Sequence, residues 1–152
     1  MKARDIMTSD IEVVTPNDPV SRAAQLMRDA DVGIIPVVDD ASSMRLRGVI
    51  TDRDITVRHV AERHEQECRV GDHMTDGDIR TVTPDTDVEE VARIMEREQV
   101  RRIPVVEDGD RLVGIIAQAD LAREEAPSLE RLGEVLEGIS EPSGGTPGSR
   151  RR

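Results

Sequence analysis

Thr51 and Asp54 stand three residues apart, where the apolar run Leu46–Ile50 ends. On a helix starting at that junction, the spacing puts both side chains on one side. Backbone N–H groups at a helix start are ready donors to an anion. A threonine hydroxyl there can meet a phosphate or ribose oxygen. A carboxylate one turn on can accept both hydrogen bonds of a cis-diol. The same pair also fits a plainer role, in which Thr51 caps the helix and Asp54 favours its positive end. A second junction, after Leu112–Ile116, keeps the carboxylate as Asp120 but replaces the hydroxyl residue with Ala117.

Other chemistry-bearing residues have less favourable spacing. His59, His64, Cys68 and His73 fall in one stretch. Zinc ligands on a helix recur at i and i+4. His59 and His64 are five apart, about 140° around an α-helix, so no metal site is expected. Cys68 reads as a buried or inert thiol, since nothing near it in sequence guarantees activation. No nucleophile–base pair and no glycine-rich phosphate loop is present. An enzyme is therefore not expected, and no cofactor is required.

The elements that must position Thr51 and Asp54 come from an internal repeat. Val13–Val38 aligns with Thr81–Val106 at an offset of 68, with 11 identities in 26 positions. Upstream, Asp5–Ile11 (DIMTSDI) matches Asp72–Ile79 (DHMTDGDI) after one inserted residue. Downstream, Gly48–Ile55 (GVITDRDI) matches Gly114–Leu121 (GIIAQADL). Val13-Val14 and Thr81-Val82 read as short strands stopped by Thr-Pro. Val20, Ala23, Ala24 and Met27, and likewise Val88, Val91, Ala92 and Met95, follow helical spacing. Asp18 with Pro19 predicts the first helix start, and Thr86 with Glu89 predicts a capping box at the second. Ile34–Val38 and Ile103–Val106 read as buried strands, followed by Leu46–Ile50 and Leu112–Ile116. Second helices begin near Asp52 and Gln118. Each copy is thus β-α-β-β-α, with a parallel, right-handed first crossover and a final hairpin. The fold class is α/β in the broad sense, sheets with flanking helices.

Composition bounds the partners. The 152 residues carry a formal net charge of −11, which disfavours nucleic acid and anionic membrane. No apolar run approaches a membrane span, and no secretory leader is seen at the start. One cysteine fits a reducing compartment, and a cytoplasmic location is expected. With no Phe, Tyr or Trp, a flat ligand must be held by aliphatic side chains.

The repeated V-T-P, I-P-V-V and G-V-I-T-x-x-D segments resemble the CBS domain, and two in tandem resemble a Bateman module. The resemblance runs from about Arg4 to Glu125. It implies repeats at 1–67 and 68–125 and a sensor or regulator of adenosine-containing ligands (AMP, ADP, ATP or S-adenosylmethionine), bound in clefts that mix the two copies. Carried over residue by residue, one cleft combines Thr51 and Asp54 with Ile79, Arg80, Arg102 and Pro104. Arg102 matches the position that often supplies a basic phosphate contact. The other combines Ala117 and Asp120 with Ile11, Ile34 and Pro36. It lacks both the hydroxyl and the cation, and is expected to be weaker. The alternative is a structural or partner-binding protein with vestigial, empty clefts and an unidentified protein target.

A homodimer is also expected, through Ala24, Met27, Val57, Val60, Ile94 and Leu121 on the helices. Leu129, Leu132, Leu136 and Ile139 form a stripe that predicts a helix over 126–140. The Pro/Gly/Ser-rich segment 141–152 is expected to be disordered.

Overall fold

In the computed structural model, residues 1–63 and 67–124 are described. The expected helix over 126–140 and the tail 141–152 lie outside them. The elements are α1 (Ala3–Ile6), α2 (Val20–Ala30), β1 (Ile34–Val38), β2 (Leu46–Thr51), α3 (Asp52–Asp54), a π-helix (Ile55–Val60), α4 (Val70–His73), α5 (Val88–Glu98), β3 (Arg102–Glu107), β4 (Arg111–Ala117) and α6 (Gln118–Glu124). The β-α-β-β-α order expected from the repeat is present in both copies. The leading strands, however, are reduced to single parallel bridges, Val14 to Val37 and Val82 to Val105. Thr-Pro follows each one, and proline cannot extend a ladder because it lacks the N–H donor.

β1 and β2 form an antiparallel pair in which Ile34 faces Thr51 and Ile35 faces Ile50, with a register shift between Val37 and Val38. β3 and β4 form the equivalent pair. Both long helices are amphipathic. α2 buries Val20, Ala23 and Met27, and α5 buries Val88, Val91, Ala92 and Met95. Each ends on a left-handed residue, Asp31 at φ 55° and Gln99 at φ 56°, which closes the last turn.

Both helix starts depart from the sequence expectation. Pro19, not Asp18, takes the cap position of α2, and the Asp18 carboxylate instead accepts the Thr15 N–H at 2.8 Å. Asp87 takes the cap position of α5, while Thr86 Oγ1 accepts the Thr83 N–H at 3.0 Å, so no Thr86–Glu89 box forms. The reason is that distant chain supplies the acceptors. Val20 N–H donates to the Cys68 carbonyl at 2.8 Å and Ser21 N–H to Glu67 Oε1 at 3.1 Å. In α5, Val88 N–H donates to the Met1 carbonyl at 3.0 Å.

The same exchange defines two compact units. Among the described residues, one comprises Met1–Ser9, Thr81–Val105 and the segment from Gly114 to Glu124; the other comprises Asp10–Arg80 and Val106–Val113. The leader of each sequence copy therefore docks on the body of the other copy. Ala3 and Arg4 N–H groups donate to Thr86 and Pro84 carbonyls, and Val70 and Gly71 N–H groups donate to Asp18 and Pro16 in the same pattern. Val14, Ala23, Ile35, Val37, Ile50 and Val70 form a core cluster in the second unit. Met27 lies in that cluster and Leu121 is fully buried, so neither is available as the dimer contact it was expected to be. Ala24, Val57 and Val60 are exposed and Ile94 is half-buried.

Candidate functional site

The strand β2 delivers Thr51 to the first turn of α3, where a reciprocal capping box forms. Asp54 N–H donates to Thr51 Oγ1 at 3.0 Å, and Thr51 N–H donates to Asp54 Oδ2 at 3.0 Å. The plainer role read from sequence is therefore realised, but it does not use all of the carboxylate. Asp54 is buried, and Thr75 Oγ1 donates to its Oδ1 at 3.2 Å and Oδ2 at 3.3 Å. Arg58 Nε lies 3.8 Å from Oδ1, one turn further along. Thr75 is placed by a two-way bridge with Val49, whose N–H and carbonyl both pair with it. Gly48 permits this approach, because a Cβ there would stand 2.5 Å from the Thr75 carbonyl oxygen.

The second junction has a different balance of partners. Asp120 is also buried, and its Oδ2 accepts the Ala117 N–H at 2.7 Å. Its Oδ1 accepts from the guanidinium of Arg123 at 2.7 Å. Ala117 supplies no hydroxyl, so the box is one-sided.

The other expected residues are placed within their own units. Ile34 is half-buried opposite Thr51 on β1, and Pro36 is buried on the same strand opposite Val49. Ile11 packs with Val13, Met44 and Leu46 on the cluster of Val38, Val106 and Leu112, so it serves the core. Ile79 is half-buried and Arg80 exposed in the segment after Thr75. On β3, Arg102 is half-buried and Pro104 buried, with the Pro104 carbonyl accepting the Val82 N–H at 3.1 Å.

Sequence spacing missed one grouping. The ligand atoms of His59, Cys68 and His73 lie within 4.8 Å of one another. On one continuous α-helix, His59 and His64 would stand about 140° apart. The chain instead passes through a π-helix and then a left-handed residue, Arg63 at φ 57°. A signal was available. His73 occupies the place of Ile6 in the first copy, a titratable ring in a slot that is otherwise apolar and buried.

Comparison with known proteins agrees with this architecture. The CBS domain model matches residues 3–59 and 70–126. YlbB of Bacillus subtilis is 40% identical over 92% of this chain and 92% of its own length. Hypoxic response protein 1 of Mycobacterium tuberculosis is 36% identical, over 80% of this chain and 82% of its own. Its crystal structure, described with two coordinated zinc ions, superposes with a TM-score of 0.70 over 81% of this chain and 98% of that one. CBSX2 in complex with AMP gives 0.70 at 28% identity, covering 85% of this chain and 98% of that one. The CBS pair of MJ0100 in complex with 5-methylthioadenosine and S-adenosylmethionine gives 0.65 at 26%, covering 84% and 98%. With both repeats matched, and relatives of similar length aligned almost end to end, the chain belongs to the CBS domain family and consists of a pair of CBS repeats.

Proposed function

We propose that this protein is a regulatory module that senses an adenosine-containing ligand rather than an enzyme. The observation that carries this reading is the Asp54 carboxylate, buried at a strand-to-helix junction and met at Oδ1 by a neutral hydroxyl. A ribose cis-diol can replace that hydroxyl without breaking a close ion pair. The AMP complex of CBSX2 and the S-adenosylmethionine complex of MJ0100 support the ligand class. On the sequence resemblance, Ile79, Arg80, Arg102 and Pro104 complete the stronger site, with Arg102 as the phosphate contact. Ala117, Asp120, Ile11, Ile34 and Pro36 belong to the weaker one. The close Arg123–Asp120 pair favours a second reading for that weaker site alone, in which it stays empty.

A homodimer belongs to the same proposal. Val57 and Val60 are exposed at 44% and 62% on the π-helical segment, and an isologous contact would cover them. The single thiol supports a reducing, cytoplasmic setting.

Thermal-shift measurement with AMP, ATP, NAD and S-adenosylmethionine tests the sensing role. A ligand at 100 times its dissociation constant adds about 2.7 kcal/mol to native-state stability. A well-folded protein that shifts with none of the four would overturn it.

A further inference from the structure

We infer that His59, Cys68 and His73 form a binding site for a borderline-soft transition-metal ion, Zn²⁺ above all. The inference is separate from the adenosine reading and uses none of its proposed ligand contacts.

Three different pieces of chain bring the ligand atoms together. His59 sits in the π-helix Ile55–Val60, whose wider turn is closed by Ala61 N–H on the Thr56 carbonyl at 2.9 Å. Such single π-turns are frequent at functional positions, because they re-aim a side chain that α-geometry would place elsewhere. Cys68 is fixed through its own carbonyl, which accepts the first N–H of α2 at 2.8 Å. His73 ends α4, whose start is held by the Asp72 carboxylate accepting the Arg69 N–H at 3.1 Å and by the Asp18 backbone carbonyl accepting the Val70 N–H at 2.8 Å. Its ring is buried, while His59 and Cys68 are half-buried, so the site has one closed side and one side an ion can enter.

The geometry matches coordination better than a hydrogen bond. His59 Nδ1 and His73 Nε2 face each other at 3.4 Å, with ring centroids 5.2 Å apart and planes inclined at 71°. Two nitrogens bound tetrahedrally at Zn–N distances of about 2.0–2.1 Å must stand about 3.3–3.4 Å apart. For a thiolate at about 2.3 Å, the sulfur-to-nitrogen edge is about 3.6 Å. With all three atoms already within 4.8 Å, closure asks for a movement on the order of 1 Å.

The donor set selects the ion. One thiolate and two imidazoles suit Zn²⁺ and its neighbours in the transition series, and disfavour Mg²⁺ and Ca²⁺, which demand oxygen. The nearby cation does not compete for the site. The Arg58 guanidinium points at the carbonyls of His73 and Met74, at 3.4 and 3.3 Å, and stands beside Asp54. Binding converts the Cys68 thiol to a thiolate on the metal and releases one proton to solvent. Three protein ligands leave a fourth position for water or an added ligand. The ion would clamp the π-helix to α4.

The full chain, stripped with a chelator under reducing conditions and titrated with Zn²⁺ against a chromophoric competitor, should bind one ion per chain. Co²⁺ in its place should give thiolate-to-metal charge transfer in the near ultraviolet and intense tetrahedral ligand-field bands. Cys68→Ser should abolish the charge-transfer band. Cys68→Ser and His59→Gln should each weaken Zn²⁺ binding about a hundred-fold or more, since even the loss of an outer-shell partner costs ten- to hundred-fold. Both positions are half-buried, and circular dichroism of each apo variant checks that it still folds. His73→Ala is the less suitable variant, because it empties a buried position. Failure of the folded wild-type chain to bind stoichiometric Zn²⁺ would overturn the inference. So would binding that survives Cys68→Ser and His59→Gln undiminished, which would place the ion elsewhere.

Discussion

Arg123 donates to Asp120 Oδ1 at 2.7 Å, whereas the arginine that follows Asp54, Arg58, stops 3.8 Å from the matching oxygen. The two copies thus hold the same buried carboxylate in different states of engagement. A ribose entering at Asp120 must displace a guanidinium, while at Asp54 it displaces the Thr75 hydroxyl. Hydrogen bonds to charged groups contribute about 1.5–3 kcal/mol, or about ten- to a hundred-fold in affinity. Calorimetry with AMP on Asp54→Ala should show a loss of that size, and Asp120→Ala a smaller one. The opposite order would reverse the assignment.

Thr51 is the cap of α3 in the ligand-free protein. Thr51→Ala should lower the stability of the ligand-free protein by about 1 kcal/mol in chemical denaturation. Thr51→Ser, which keeps the acceptor oxygen, should restore most of it. Equal loss in both variants would show that the methyl group, not the cap, matters.

Gly48 and Gly114 occupy matching places in the two copies, but an added methyl meets different neighbours. At Gly48 it meets the Thr75 backbone carbonyl at 2.5 Å; at Gly114 it meets the side chain of Met7. A backbone bridge cannot move without breaking the Val49–Thr75 pairing, while a methionine can change rotamer. Gly48→Ala should cost about 1–3 kcal/mol and Gly114→Ala less. Equilibrium unfolding of both variants checks this, and equal costs would count against the argument.

Acid should loosen the attachment of the N-terminus. Lys2 Nζ donates to Asp87 Oδ1 at 2.7 Å, and this bond, with the attraction between the two charges, holds the Asp87 carboxyl below its ordinary range. A depressed folded-state pKa gives a contribution that is present above the unfolded value, about pH 4, and is lost as pH falls through the folded one. Asp40 behaves in the same way, lowered first by the Ser43 N–H that donates to it. Lys2 is raised by the same bond to Asp87, so its contribution is complete below its unfolded value of about pH 10.4 and is lost as pH rises beyond it. Both ends of the Lys2–Asp87 pair are solvent-exposed, so the effect is small and sensitive to salt. In a stability–pH profile, Asp87→Asn should flatten part of the fall below pH 4, and an unchanged profile would remove the pair as a cause.

Light scattering tests the homodimer directly. At micromolar concentration the mass should be twice that of the 16.8 kDa chain. Val57→Asp with Val60→Asp should return it to a single chain, because both carboxylates would be buried against their symmetry mates. A monomeric wild type would end the proposal.

The repeat made most of the fold legible in the sequence. A period-3.6 stripe such as Val88, Val91, Ala92 and Met95 and an unbroken apolar run such as Ile34–Val38 specify a buried face locally. Duplication of the pattern shows that both copies build the same unit. Thr51 and Asp54 were legible for a similar reason, since a capping box is a local device of four residues. Only the tertiary structure decided what distant chain supplies. The caps of α2 and α5 come from the residues before α4 and α1, so Asp18 and Thr86 are freed for turns. The compact units cut across the sequence copies because each leader finds its hydrogen-bond partners on the other copy's body. The meeting of His59, Cys68 and His73 depends on a π-turn and a left-handed residue, backbone choices that leave no mark in hydrophobic periodicity. What the sequence by itself determined was everything written at short range; what the tertiary structure decided was which distant backbone groups and side chains came within reach.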